Sequence, residues 1–217
     1  MRGCLRAAPR TAVPFASQRF DKFVGYYQLK PGTLFRIYRE GERFFSQITG
    51  QGPVEIYPES EVKFFTTIVN AQISFIINSQ GRVTDLILHQ DGFERSWKRI
   101  DGKSAERQIT RLEERIKNNL PDPRTEKALR RFVEGIISGD PNYDEMAPEQ
   151  AQAIRDQLTG LQSFIREKGQ IRSIRFVGVQ ENGDDTYHVE HERRLFRWTI
   201  GLGSDGKVER SWVTSGG

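Results

Sequence analysis

A serine three residues ahead of a lysine, at the start of a helix, places an amine over a hydroxyl and can make an acyl-transfer nucleophile. The chain contains that spacing twice, as Ser60-Glu61-Val62-Lys63 and Ser204-Asp205-Gly206-Lys207. The first leads into a run with strand periodicity and the second is a turn sequence, so neither opens a helix, and no Lys-Thr-Gly accompanies them. His188 and His191 are the one close histidine pair, with Glu190 and Glu192 beside them; three residues apart on a strand they face opposite ways and cannot share a metal. His89, near Asp85 and Asp91, precedes an Asp-Gly turn and reads as a turn-stabilising residue rather than a base. Asp140, Asp144 and Glu145 around Tyr143 lack the spacing of a calcium loop and read as capping residues between helices. Asp184-Asp185 after Asn182-Gly183 reads as hairpin chemistry. No glycine-rich phosphate loop precedes a helix, and the single Cys4 leaves no internal disulfide and no cysteine zinc site. The sequence therefore assigns no catalytic residue, no cofactor and no metal.

Aromatic residues are a second kind of candidate. Phe35, Tyr38, Phe44, Phe45, Tyr57, Phe64, Phe65 and Phe75 crowd one segment. They either fill a small barrel with their own side chains or line a cavity for one apolar ligand. The ligand-lining candidates are Phe35, Tyr38, Tyr57, Phe64 and Phe75, with Trp198 in the second half.

The elements that carry these residues follow from periodicity. Between Phe23 and Trp97, short apolar runs alternate with breaks at Pro31-Gly32, Glu40-Gly41, Gly50-Gln51-Gly52, Pro58-Glu59, Asn70-Ala71, Gln80-Gly81 and Asp91-Gly92. Runs of about five to eight residues at this spacing predict seven or eight antiparallel strands, as a sandwich or a closed up-and-down barrel. After Gly102 the period becomes helical. Ile109, Leu112 and Ile116 make a narrow stripe, Pro121 and Pro123 interrupt, and Leu129, Phe132, Val133, Ile136 and Ile137 make an amphipathic helix. Pro148 opens a third helix, with Ala151, Ile154, Leu158, Leu161 and Ile165 on one face and Gly169 as its stop. Four strand-like runs then close the chain, and Phe196, Trp198, Ile200 and Leu202 share a face of one of them. The expected class is all-β plus α+β, with a tail over 1–19, a barrel domain over 20–101 and a helix-plus-sheet domain over 102–217.

Charge narrows the partners. Of 217 residues, 33 are Lys or Arg and 29 are Asp or Glu. Arg2, Arg6, Arg10 and Arg19 precede the first acid, Asp21, and taking them away leaves 29 basic against 29 acidic residues. The excess belongs to the start of the chain and the body is neutral, which argues against nucleic acid. No run of about 18 apolar residues exists to span a membrane as a helix. The first residues are Arg-rich with no apolar core, so they do not read as a secretory signal; a mobile basic tail is the expectation.

The segment from Phe23 to Gly92 resembles a domain found behind the catalytic domain of beta-lactamase-related, penicillin-binding-protein-like serine hydrolases. The residues that carry the likeness are Val24-Gly25-Tyr26, Gly50-Gln51, Tyr57-Pro58-Glu59-Ser60 with Phe64-Phe65, and Gly81-Arg82-Val83 running to His89-Gln90-Asp91-Gly92. The resemblance implies a lipocalin-like barrel. The second half, through ALRRFVEGIISGDPNYDEMAPEQA and FRWTIGLGSDGKV, is similar to a segment that follows in such hydrolases and implies a cystatin-like fold. The catalytic domain has no counterpart in these residues, so no hydrolase activity is implied. Three functions remain: a non-catalytic accessory module that docks on a catalytic domain, another partner or a second copy of itself; a binder of a small apolar ligand in the barrel or the curved sheet; and an enzyme in the second half built on Tyr187, His188 and neighbouring acids.

Overall fold

The structure, a computed structural model, describes residues 10–30, 32–90, 92–203 and 205–216. It divides into two compact units, residues 1–109 and 110–217. The dividing line falls inside a helix that begins at Gly102, eight residues beyond the boundary expected between 101 and 102.

The first unit is a closed antiparallel barrel whose eight strands neighbour one another in chain order: β1 (Gly25–Lys30), β2 (Thr33–Glu40), β3 (Arg43–Ile48), β4 (Val54–Pro58), β5 (Lys63–Thr66), β6 (Ala71–Ile77), β7 (Val83–Gln90) and β8 (Phe93–Ile100). β1 pairs with β8, with Tyr26 opposite Ile100, and that pairing removes the open edges. All seven connections lie at the breaks read from the sequence. At the β6–β7 turn Gly81 has φ 76°, a conformation that costs a side chain, and the Asn78 Oδ1 accepts from the N–H groups of Gln80 and Arg82. Alternation decides what is inside: Ala71, Ile73 and Phe75 of β6 and Leu86 and Leu88 of β7 are buried in one core with Phe35, Ile37, Phe44, Ile56, Phe64 and Trp97.

A short helix, α1 (Ser17–Phe20), precedes the barrel. The tail expected over 1–19 lies outside the described residues up to position 9. From there on the chain is tied to the barrel. Arg10 bonds Asn70 and pairs with Glu59, the Val13 N–H donates to the Pro58 carbonyl, and Phe15 packs edge-on to Phe64 at 5.4 Å.

In the second unit a four-stranded antiparallel sheet has the order β12-β11-β10-β9, from β9 (Ile171–Val179), β10 (Asp185–His191), β11 (Leu195–Leu202) and β12 (Val208–Ser215). Helix α2 (Gly102–Asn118) reaches this unit with its last turns. Helices α3 (Thr125–Ser138) and α4 (Pro148–Arg166) follow, separated by a 3₁₀ turn, Tyr143–Glu145. Leu129, Phe132, Val133 and Ile136 of α3 and Ile154 and Ile165 of α4 share a core with Tyr187, Val189, Phe196, Trp198 and Ile200, so both helices bury their apolar stripe on one sheet face. In the connection between them the Asn142 side chain accepts from the Asp144 N–H and Glu145 pairs with Arg131 at 2.7 Å, so the capping role expected of the acids falls to Asn142.

Gly135 in α3 defines a tight approach, since a Cβ there would lie 2.8 Å from the Pro141 Cα. Alanine is the better helix former by about 1 kcal/mol, yet the backbone it meets cannot swing aside. Gly135→Ala is expected to destabilise the unit by about 1–3 kcal/mol. Chemical denaturation checks the sign, and a gain in stability would show that the Pro141 loop yields.

Candidate functional site

The two ends of the barrel differ in chemistry. At one end Phe20 and Phe23 drop into the bore: Phe20 stacks on Phe44 at 4.2 Å, Phe23 stacks on Phe75 at 4.3 Å, and Phe64 touches both edge-on. The Tyr27 hydroxyl donates to the Phe23 carbonyl at 2.7 Å, and Arg99 donates to the carbonyls of Lys22 and Val24 at 2.9 and 2.6 Å. The segment is thereby fastened across the opening. Charged pairs decorate this end, among them Arg39–Asp21 and Arg19–Glu61.

The opposite end is open, and its two longest segments lack charge. Phe44–Val54 and Phe64–Gly81 contain no charged residue, although 29% of the chain is charged. Between these segments lies a cavity of about 180 Å³ with walls of Phe35, Ile48, Val54, Ile56, Ile73 and Leu88. Gln51, Thr66 and Gln90 border it, and Ile68 and Val69 of the β5–β6 turn stand at its edge. Ile68 is 70% exposed and Phe93, across the ladder from Gln90, is 67% exposed. One wall residue breaks the apolar pattern. Ser46 is only 6% exposed and, among the described residues, its hydroxyl has no hydrogen-bond partner.

Of the aromatic candidates, Phe35 lines this cavity. Phe64 and Phe75 belong to the packed cluster at the sealed end. Tyr38 stacks on Phe45 at 5.3 Å and Tyr57 packs on Phe65, both pairs being cross-strand neighbours. Trp198 is in the core of the second unit, edge-on to Phe132 at 6.0 Å. The residues that sequence reasoning missed are the short aliphatic ones, Ile48, Val54, Ile56, Ile73 and Leu88. For Ile48 and Ile73 the one signal was the lack of charge in the segments that hold them; Val54 and Ile56 flank Glu55 and Leu88 lies between Asp85 and Asp91, so these three gave none.

The chemical motifs are placed as follows. Ser60 is in the β4–β5 turn, where its Oγ accepts weakly from the Val62 N–H at 3.4 Å, and Lys63 begins β5. Ser204 lies outside the described residues. A different serine meets a histidine: Ser74 Oγ is 3.0 Å from His89 Nε2, and His89 Nδ1 is 3.0 Å from Glu94 Oε1, a chain across β6, β7 and β8. His89 is thus a bridge between strands rather than a support for the Asp-Gly turn. The arrangement resembles a nucleophile–base–acid relay, but the amide that follows the serine, Phe75 N–H, donates to the Val62 carbonyl at 2.9 Å. An acyl-transfer site needs free donors for the oxyanion, and losing even one costs about 10²–10³ in rate. Fluorophosphonate treatment is expected to leave the intact mass unchanged; a stoichiometric adduct on Ser74 or Ser60 would overturn this.

In the second unit Tyr187 and His188 face opposite sides of β10. Tyr187 is buried and shares a 2.7 Å hydrogen bond with Thr125, and burial pushes its hydroxyl up to about 12. His188 is 3.3 Å from Arg175 on the other face, whereas His191 bonds the Gly169 carbonyl through Nδ1. Asp185, read as a turn residue, is completely buried. It takes hydrogen bonds from Arg115, the Asp122 N–H and the Thr125 hydroxyl, each at 2.7 Å. It ties the end of α2 and the start of α3 to the sheet. Asp184 beside it receives Arg210 through two nitrogens. Among the described residues no group of three His, Cys, Asp or Glu could hold a metal ion, and no helix is long and apolar enough to cross a membrane.

With the geometry in place, comparison with known proteins adds a relationship for the barrel half. Residues 9–104 match the family described as "Domain of unknown function (DUF3471)". A stretch of 75 residues, 35% of this chain, is 32% identical to Penicillin-binding protein 4* of Bacillus subtilis (strain 168) and covers 16% of that protein. The chain thus matches a small part of that relative's length. No solved structure matches. The family match covers the barrel half, and together the two matches support a beta-lactamase-related region in this chain.

Proposed function

We propose that the chain is a non-catalytic binding module of a beta-lactamase-related protein, and that it works by holding an apolar group in the open end of the barrel. The observation that carries this reading is the asymmetry of the bore, which is packed with phenylalanine at one end and recessed into an aliphatic cavity at the other. An enclosed apolar cavity of about 150 Å³ takes up benzene, so a recess of 180 Å³ has room for one ring or a short chain. Titration with toluene tests it. The methyl resonances of Ile48, Ile56, Ile73 and Leu88 should shift saturably, and Ile48→Phe, which narrows the mouth, should weaken the effect while the amide spectrum elsewhere holds. Shifts that never saturate, or that spread over both units, would sink the reading.

A second reading is favoured by the rim. Leu29, Ile68, Val69 and Phe93 are apolar and exposed around the mouth, the composition of an interface centre rather than of free surface. In this form the anchor is a side chain from the catalytic domain of a related hydrolase or from a second copy of the chain. Lipocalin-like and cystatin-like architectures for the two units accord with the barrel and with the helix-covered sheet. Light scattering across a concentration series, with and without such a catalytic domain, separates the two readings: a strictly monomeric chain that ignores the domain leaves the small ligand.

A further inference from the structure

The cavity also carries a sign of what it prefers. Ser46 stands between Phe44 and Ile48 on β3 and is paired with Ile37 on β2 and Val54 on β4, so its nearest neighbours on the inward face of the sheet are apolar. Its hydroxyl lines the cavity, is reached from the cavity's open side and has no protein partner among the described residues. An occupant that displaces water from this hydroxyl must offer a hydrogen bond in return, because leaving it buried without a partner is costly. Among the described residues none that lines the walls is charged, which disfavours an ionised occupant at that depth. The volume, about 180 Å³, equals that of about six water molecules.

We infer that the barrel cavity selects a small neutral molecule with an apolar body of one ring and a single hydroxyl or carbonyl, and that Ser46 is the residue that recognises this group. The inference rests on the reading of the open end as a binding site and adds the chemistry of the ligand. A serine hydroxyl both donates and accepts, so it serves an alcohol, a phenol or a ketone equally well, whereas a hydrocarbon leaves it unsatisfied.

Toluene and phenol, matched in size, are the probes, and their dissociation constants are measured by the methyl shifts described above. Ser46→Ala is expected to weaken phenol by about 3- to 10-fold, the worth of one hydrogen bond, and to leave toluene within about 2-fold. Ser46→Thr, which keeps the hydroxyl, is expected to retain the wild-type ratio of phenol to toluene affinity. That ratio is internal to each variant and is insensitive to a partly unfolded sample. If toluene binds and the ratio is the same in Ser46→Ala as in the wild type, the role of Ser46 is overturned and the binding site stands. If neither compound binds the wild type, the open end is not a small-molecule site, and both readings of the cavity as one fall together.

Discussion

Phe64→Ala is expected to cost the barrel about 4 kcal/mol, within the range for a buried phenylalanine cut back to alanine. The size follows from position. Phe64 is fully buried and its ring lies 5.2–6.1 Å from those of Phe15, Phe20, Phe23, Phe44 and Phe75. Removing it opens a void at the one place where the N-terminal segment meets the bore, and edge-on contacts contribute beyond the area they bury. Phe93→Ala, an exposed residue of the open rim, is expected to stay within about 0.5 kcal/mol and serves as the control. Hydrogen exchange of β3, β5 and β6 reads the effect in this unit alone. Equal protection in the two variants would show that the sealed end is not the barrel's structural centre, and the contrast between its two ends would lose its meaning.

The second large effect is expected at Asp185, where alanine should destabilise the helix-and-sheet unit by about 3 kcal/mol. Removing Asp185 takes the partner from Arg115, whose side chain is about a third exposed, and leaves the Asp122 N–H and the Thr125 hydroxyl without their acceptor. The pH dependence has a definite sign. Burial holds the Asp185 carboxyl above the usual carboxylate range, and the Thr125 hydrogen bond, the Asp122 N–H and the Arg115 charge pull back without cancelling it. A carboxyl raised in the folded state contributes stability that is complete below its unfolded value and is lost as pH rises through the folded value. Asp122 works the other way: hydrogen bonding from Arg124 holds it low, and its contribution is lost on acidification. The comparison of wild type with Asp185→Asn isolates the first group. Lowering the pH from about 7 into the carboxylate range should move stability in favour of the wild type. A shift in favour of the asparagine variant would mean that the pair with Arg115 outweighs burial.

Element type and order were legible in the residues because each depends on short-range pattern. Alternation at period two and the Gly and Pro breaks placed the barrel's seven connections, and the stripes at Ile109, Leu129 and Ala151 placed the helices. β8 gave the weakest signal, since Arg95 shares the inward register of Leu88 and Trp97 at the open mouth and interrupts the apolar alternation. Closure was different, because a sandwich and a barrel use the same strands, and only the pairing of β1 with β8 separates them. The site shows the same division. Aromatic density announced a filled bore, but not that Phe20 and Phe23, from outside the strands, would fill one end and leave the other to Ile48, Ile56, Ile73 and Leu88. Ser46 in a run of phenylalanines carries no mark until its four apolar neighbours are assembled around it. Asp185, reading locally as a turn residue, becomes the buried acceptor for α2 and α3 through contacts 60 to 70 residues away in the chain. Local periodicity selects secondary structure because the backbone geometry of each element is local; which end of a barrel stays empty, and which polar group is left without a partner, depends on packing among residues far apart in sequence.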